Sequence, residues 1–123
     1  MPTNLQPAKR ATLNVRIKPE DRDLIDRARR GTLLREEITG GSFTVSNLGM
    51  HGVTRFDAII NAPQVAILAV GSVSQRPVVR AGALAVADLV TLTLSADHRV
   101  IDGAVGAAFL STLGGLIEKP SAL

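Results

Sequence analysis

The apolar pattern of the chain changes period once, and that change sets the class of fold open to it. From Phe43 to Leu94 apolar residues come in short runs with the two-residue period, or the unbroken apolarity, of strands. From Asp102 onward Val105, Phe109, Leu113 and Leu116/Ile117 recur at helical spacing, and Lys119-Pro120 ends the run. A set of short strands closed by a C-terminal amphipathic helix is an α+β architecture. In SFTVS, Phe43 and Val45 alternate with Ser42, Thr44 and Ser46 behind the Gly40-Gly41 pair, which predicts one strand. The run VAILAVG predicts a fully buried strand over 65–70, and NLGMHGV before it is a loop with glycines at 49 and 52. Arg76-Pro77 and Ala81-Gly82 are turn signals, so strands are expected near Val78, over Leu84 to Val86 and from Leu89 to Leu94, as a meander. Gly106, Gly114 and Gly115 weaken the last helix by about 1 kcal/mol each relative to Ala unless they let it approach the sheet closely.

The N-terminal third differs in character. Residues 1–11 carry two prolines and no periodicity and are expected to form a disordered arm. Residues 12–39 make a strand and a helix: Leu13, Val15 and Ile17 alternate with Thr12, Asn14 and Arg16, and Pro19 opens a helix stopped by Gly31. Its first turns hold Glu20, Asp21 and Asp23, and its last Arg27, Arg29 and Arg30, in accord with the helix dipole. The net charge of +3 belongs to this third, where nine Lys/Arg face six Asp/Glu; beyond residue 39 the signs balance.

Composition removes several functions. With 123 residues the chain suffices for one domain, and without cysteine it has no disulfide scaffold, thiolate metal site or sulfur nucleophile. Tyr and Trp are absent and Phe43, Phe56 and Phe109 fit a core, so stacking platforms for nucleic acid are lacking. The longest apolar runs fall far below a membrane span and residues 1–16 lack the apolar stretch of a secretory signal, so a soluble, cytoplasmic protein is expected. No metal is expected: His98 and Asp102 would offer two ligands with no cysteine and no second histidine nearby. His51, alone in a glycine loop, receives no role.

The segment LTLSADHRVIDGA, residues 92–104, concentrates the chemistry. A buried strand runs straight into Asp97, His98, Arg99 and Asp102, and then into a glycine and a helix. A neutral imidazole there could remove a proton near pH 7. On residue types alone a structural corner fits equally well, with Arg99 bridging Asp97 and Asp102 and His98 a satisfied corner residue. Ser46, by itself, fits a strand-end serine capping the Asn47 to Gly52 loop better than a catalytic group.

DHRVIDGA, together with SFTVSNLGM and AIINAPQVAILAVG upstream in the same order and spacing, resembles the catalytic domain of dihydrolipoamide acyltransferases of 2-oxo acid dehydrogenase complexes. The likeness runs from Leu24 or Arg27 to Leu123. SNLGM followed by INAPQ is nearer to the acetyltransferase members, which makes acetyl the preferred acyl group. The resemblance implies acyl exchange between a dihydrolipoyl thiol and coenzyme A. It also implies a chloramphenicol-acetyltransferase-like fold with a mixed sheet, assembled as trimers with active sites between subunits. On this match His98 is the general base, Ser46 the oxyanion-stabilising hydroxyl, and Asp102 the Asp or Asn of the signature. Arg99 and Asp97 shape the turn, and Asn47, Asn61 and Gln64 are expected on the coenzyme A side. A thiol is only a few per cent thiolate at pH 7 and needs a base, and the tetrahedral intermediate needs a donor at its oxygen.

The departures carry expectations of their own. Residues 40–123 would be a partial catalytic domain, since the family's domain is about twice as long and most of its N-terminal half is lacking, as are the lipoyl and peripheral subunit-binding domains. INAPQ has Ala62 where a second proline is common. Half a fold leaves apolar surface bare. That predicts tight homo-oligomerisation, association with a full-length acyltransferase that takes a lipoyl domain in trans, or a catalytically inactive remnant serving as an interaction module of the complex core. A second, shorter resemblance links ATLNVRIKPEDRDLIDRA to ribbon-helix-helix antitoxins, which would make Thr12, Asn14 and Arg16 a DNA-reading face in a DNA-binding fusion. The second helix of that fold is missing, and nucleic acid is the disfavoured partner.

Overall fold

The computed structural model describes residues 19–119, which belong to two compact units, one ending at Ser42 and the other beginning at Phe43. The strand expected over 12–17, with the proposed DNA-reading face, lies outside the described residues.

In the first unit, helix α1 (Pro19–Arg30) starts at the proline and carries Glu20 and Asp21 in its first turn and three arginines in its last. It stops at Gly31, whose φ of +69° is the left-handed conformation that a glycine adopts without steric cost. There the Gly31 amide donates to the Ala28 carbonyl and the Thr32 amide to that of Arg27. Arg27 gathers the unit: its Nε donates to Asp23 at 2.8 Å and its Nη1 to Glu37 at 2.7 Å, while Glu37 also accepts from the Leu34 amide at 2.8 Å. These bonds, that from Arg27 first, hold the Glu37 carboxyl below its ordinary range.

The second unit contains a three-stranded sheet in the order β1 (Thr44–Asn47), β2 (Ala66–Val70), β5 (Leu92–Ala96). β1 runs parallel to β2, and β5 runs antiparallel to it, so the sheet is mixed. The unbroken apolar run of β2 takes the central place, where both faces are covered. Ala66, Ile67, Leu68 and Ala69 are the buried apolar side chains among the described residues. β3 (Ser74–Arg80) and β4 (Ala83–Leu89) form a separate antiparallel ribbon. Its two-residue turn has positive φ at both Ala81 (50°) and Gly82 (79°), the type I′ geometry that follows strand twist.

Two details correct the sequence reading. Arg76-Pro77 is no turn: Pro77 lies inside β3 opposite Val86, which a two-stranded ribbon tolerates because one side of each strand has no ladder to interrupt. The strands also do not form one meander, since the ribbon sits between β2 and β5 in sequence while those two pair with each other. Gly71, at the end of β2, has a strict steric reason to be glycine. A Cβ there would lie 2.1 Å from the Thr54 carbonyl oxygen, because the backbone of 53–54 runs against 71–72 and the Ser72 amide donates to Val53.

Helix α2 (Gly103–Glu118) follows β5 through a tight turn. At Gly106 the helix lies against the sheet, where a Cβ would be in van der Waals contact with the Leu94 side chain at 3.6 Å. Gly114 and Gly115 meet nothing within 4 Å, and the contact at Gly106 is one an alanine would also make, so close approach requires none of the three glycines. None of the helix's residues is buried. No helix among the described residues is long and apolar enough to cross a membrane.

Candidate active site

The turn from β5 into α2 is built from its own side chains. The Asp97 amide continues the β2–β5 edge by donating to Val65 at 2.8 Å, and the Asp97 carbonyl then accepts from Val100 and Ile101, closing the turn. Its carboxylate accepts from the Arg99 amide at 3.0 Å and from the Arg99 guanidinium at 2.7 and 3.0 Å. The guanidinium, and after it the backbone amide, holds the Asp97 carboxyl down at about 2. Asp102 stands at the helix N-cap, its Oδ1 accepting from the Val105 amide at 2.8 Å. The residue-type reading in which Arg99 spans both acids therefore fails: Arg99 serves Asp97, and Asp102 caps the helix.

His98 sits between these two devices, exposed, on the wall of an open groove of about 380 Å³. Leu94 and Ala96 of β5, Ile101 and Asp102 of the turn, and Gly103, Gly106, Ala107 and Leu110 of α2 form the rest of that wall. Among the described residues none hydrogen-bonds the His98 ring, and the residue lines the groove. His98 and Asp102 thus share one groove.

The other expected residues lie elsewhere. Ser46, half-buried on β1, is opposite Ala69 of β2, which is opposite Thr93 of β5. His98 lies beyond Ala96, which pairs with Ala66 at the other end of β2. The two are separated by two strand spacings across the sheet and by at least three residue steps along it, roughly 10 Å in each direction. Within one copy Ser46 and His98 do not meet. Asn47, next to Ser46, uses its Oδ1 to accept from the Gly49 amide at 2.8 Å. Asn61 and Gln64 bracket one turn with a cis Ala62-Pro63 bond, the Gln64 amide donating to the Asn61 carbonyl at 3.0 Å. The Gln64 side chain accepts from the Thr44 hydroxyl at the start of β1. Asn61 and Gln64 are therefore together, while Asn47 is three residues away along β1.

His51 is exposed at the end of a 3-10 turn. Among the described residues no cluster of three His, Asp or Glu side chains could hold a metal ion. Sequence reasoning missed Thr44, which anchors Gln64, and the capping task of Asp102. For the latter a signal existed, since an Asp directly before a helical apolar period is an N-cap pattern.

Residues 5–123 match the 2-oxoacid dehydrogenases acyltransferase family, catalytic domain. The dihydrolipoyllysine-residue acetyltransferase component of the pyruvate dehydrogenase complex of Rickettsia bellii is 50% identical over 107 residues, covering 87% of this chain and 26% of its own. That of Zymomonas mobilis is 50% identical over 104 residues, covering 85% and 24%. Among solved structures, the dihydrolipoamide acetyltransferase of Azotobacter vinelandii superposes with a TM-score of 0.78 at 43% identity, covering 84% of this chain and 42% of that one. A probable dihydrolipoamide acetyltransferase of Listeria monocytogenes gives 0.76 at 42% identity, with 81% and 43% covered. The chain thus spans about a quarter of the curated relatives and under half of the solved cores. Its mixed sheet and closing helix are the α+β, chloramphenicol-acetyltransferase-like architecture of those cores. The chain belongs to the catalytic-domain family of the 2-oxoacid dehydrogenase acyltransferases.

Proposed function

We propose that the protein exchanges an acetyl group between a dihydrolipoyl thiol and coenzyme A, both of them substrates, in an active site shared between two copies. One observation carries this reading: an exposed imidazole held by a rigid turn over an open groove, beside the Asp102 cap and far from Ser46 of its own chain. The Azotobacter enzyme adds support. A serine, a histidine and an asparagine were studied in its catalytic mechanism, and they are spaced as Ser46, His98 and Asp102 are, with the same interval from serine to histidine and the same four-residue step to the third.

In this mechanism His98 takes the proton from the attacking thiol, whose sulfur adds to the thioester carbonyl carbon. The resulting oxyanion is stabilised by the hydroxyl of Ser46 from the neighbouring copy. As the intermediate collapses, the original carbon–sulfur bond breaks and the imidazolium returns the proton to the departing sulfur. Asp102 keeps the α2 terminus in place beside His98, and the Asp97–Arg99 pair fixes the turn. Asn47, Asn61 and Gln64 present amide groups to coenzyme A; Asn47 has its oxygen occupied internally and its NH2 left for a ligand. A trimer-based assembly, or docking on a full-length acyltransferase, supplies the second copy, and a lipoyl domain delivers the dihydrolipoyl group in trans.

A second reading is an inactive interaction module of the complex core. It is favoured by the many large apolar side chains in the open among the described residues, Ile59, Leu84 and Val86 among them, beside the four that are buried there, all in β2. Acetyl transfer from acetyl-coenzyme A to free dihydrolipoamide separates the two. The purified chain is expected to turn over, with His98→Ala losing roughly 10² to 10⁴ in rate. Turnover unchanged in His98→Ala overturns the role of the histidine, and none from folded oligomer favours the module.

A further inference from the structure

We infer that Arg76 of the β3–β4 ribbon holds the phosphate groups at the nucleotide end of coenzyme A, on the copy that contributes Ser46; the inference rests on the acyl-transfer reading above. The half-buried guanidinium donates from Nη2 to the Thr91 hydroxyl at 3.1 Å, its one hydrogen-bond partner among the described residues. Its Nε is buried with no acceptor, and Nη1 has none either. An arginine carries five N–H donors and stays charged, so most of its hydrogen-bonding capacity is unused here. No carboxylate pairs with it: the ion pairs among the described residues belong to Arg27, Arg29 and Arg99. Across the ribbon Arg76 is opposite Ala87, with Ala85 and Leu89 on the diagonals, while Asp88 pairs with Gln75 on the other face. A partly desolvated cation without an anion is costly to keep, and an orphaned donor of this kind marks a place where an acceptor comes from outside the chain.

The place of Arg76 selects the ligand. The Thr91 carbonyl accepts from the Gly71 amide, which carries the β2–β5 ladder one pair past Val70 and Leu92. At that end of β2 stand Asn47, opposite Val70, and Ser46, opposite Ala69 and through it Thr93. Residues in register point to one face of a sheet, as do those two apart along a strand, which puts Ser46, Thr93 and Thr91 on the same face. Two strand spacings and two residue steps separate Ser46 from Thr91, roughly 12 Å. His98 belongs to the other end of the sheet. A ligand with its thioester at Ser46 and an anionic group at Arg76 is therefore extended, with a neutral arm between the two. Coenzyme A has that form, a pantetheine arm followed by a pyrophosphate and a 3′-phosphate, whereas a dihydrolipoyl group has no anion for Arg76. A guanidinium binds phosphate oxygens through paired N–H donors, so the unused donors match the ligand in kind. The side-chain amides of Asn47, Asn61 and Gln64 are neutral, and Arg76 adds the positive charge that they lack.

The test separates recognition of phosphate from the docking of the ribbon on Thr91. Coenzyme A, adenosine 3′,5′-bisphosphate and phosphate-free pantetheine are titrated into the full chain by calorimetry. The parent is expected to bind the first two, and Arg76→Gln to weaken both about tenfold or more while leaving pantetheine within about twofold. Arg76→Lys, which keeps the charge without the fork, should recover part of the loss. Thr91→Val, which removes the hydrogen bond and keeps the cation, and Arg80→Gln, which removes a like charge from the ribbon's tip, should each stay within about threefold of the parent. No binding of the bisphosphate by the parent, or an Arg76→Gln that weakens coenzyme A and pantetheine alike or neither, overturns the inference. If Arg76→Gln does not fold, the Arg76 Nε–H resonance of the parent decides: it should shift with the bisphosphate and not with pantetheine, and an unmoved resonance overturns the inference. Phosphate binding through Arg76 without acetyl transfer upholds it and counts against the proposed reaction; transfer from subsaturating acetyl-coenzyme A that is indifferent to Arg76→Gln does the reverse.

Discussion

Asp97 and Arg99 clasp one another across the single residue between them, with Nη2 2.7 Å from Oδ2 and the Arg99 amide 3.0 Å from Oδ1, and that residue is His98. The clasp fixes the turn from both backbone and side chain, and among the described residues the histidine ring is presented without a hydrogen bond of its own.

The pH behaviour of this turn follows from the clasp. The Asp97 carboxyl is held down to about 2, from 3.8, by the Arg99 side chain and then its amide. A depressed carboxylate pKa stabilises the folded state above the unfolded value and loses that contribution as pH falls through the folded one. The turn is therefore expected to stay intact at pH 4 and open only as pH falls below about 3. In Arg99→Gln, carboxyl NMR should find Asp97 titrating closer to 3.8; an unmoved titration would show that the guanidinium is not the cause.

Asp102 does a measurable structural job. Asp102→Ala removes the cap from the Val105 amide and should cost about 0.5–2 kcal/mol in urea denaturation, whereas Asp102→Asn, still an acceptor, should stay within a few tenths. Any loss of acetyl transfer in Asp102→Asn then reports on charge beside His98. Equal destabilisation by both would contradict the cap.

Gly71→Ala is expected to be severe for its size. Its new methyl would stand 2.1 Å from the Thr54 carbonyl, and backbone has to move to relieve it. Overpacking of this kind costs about 1–3 kcal/mol. Denaturation within about 0.5 kcal/mol of the parent, an ordinary surface effect, would mean that the 53–54 segment does not lie on β2.

Ala81 offers the opposite experiment. It holds a positive φ of 50°, which costs an alanine about 1–2 kcal/mol. Ala81→Asn, the residue preferred ahead of glycine in a type I′ turn, should raise stability by about 0.5–1 kcal/mol. A lower midpoint in urea would argue against this turn.

What could be read in advance depended on how local the information was. β1 and α2 announced themselves because SFTVS and the Val105 to Ile117 spacing each admit one period, and β2 because VAILAVG is an unbroken apolar run too short for a helix. Pro77 misled because proline punctuates most chains, and only the pairing of β3 in a two-stranded ribbon makes it harmless there. At the candidate site the DHRVIDGA corner was legible as a cluster, but the division of labour in it was not: which acid Arg99 serves depends on turn geometry. The separation of Ser46 from His98 depends on register among strands far apart in sequence, which no local pattern encodes.

That separation makes the central claim testable by mixing two variants. His98→Ala and Ser46→Ala, each inactive alone, should regain activity when unfolded together and refolded as mixed oligomers, because some interfaces then pair an intact serine with an intact histidine. Random pairing predicts acetyl transfer at roughly a quarter of the parent rate. A mixture no more active than the two variants apart, beside an active parent, would contradict a site shared between copies.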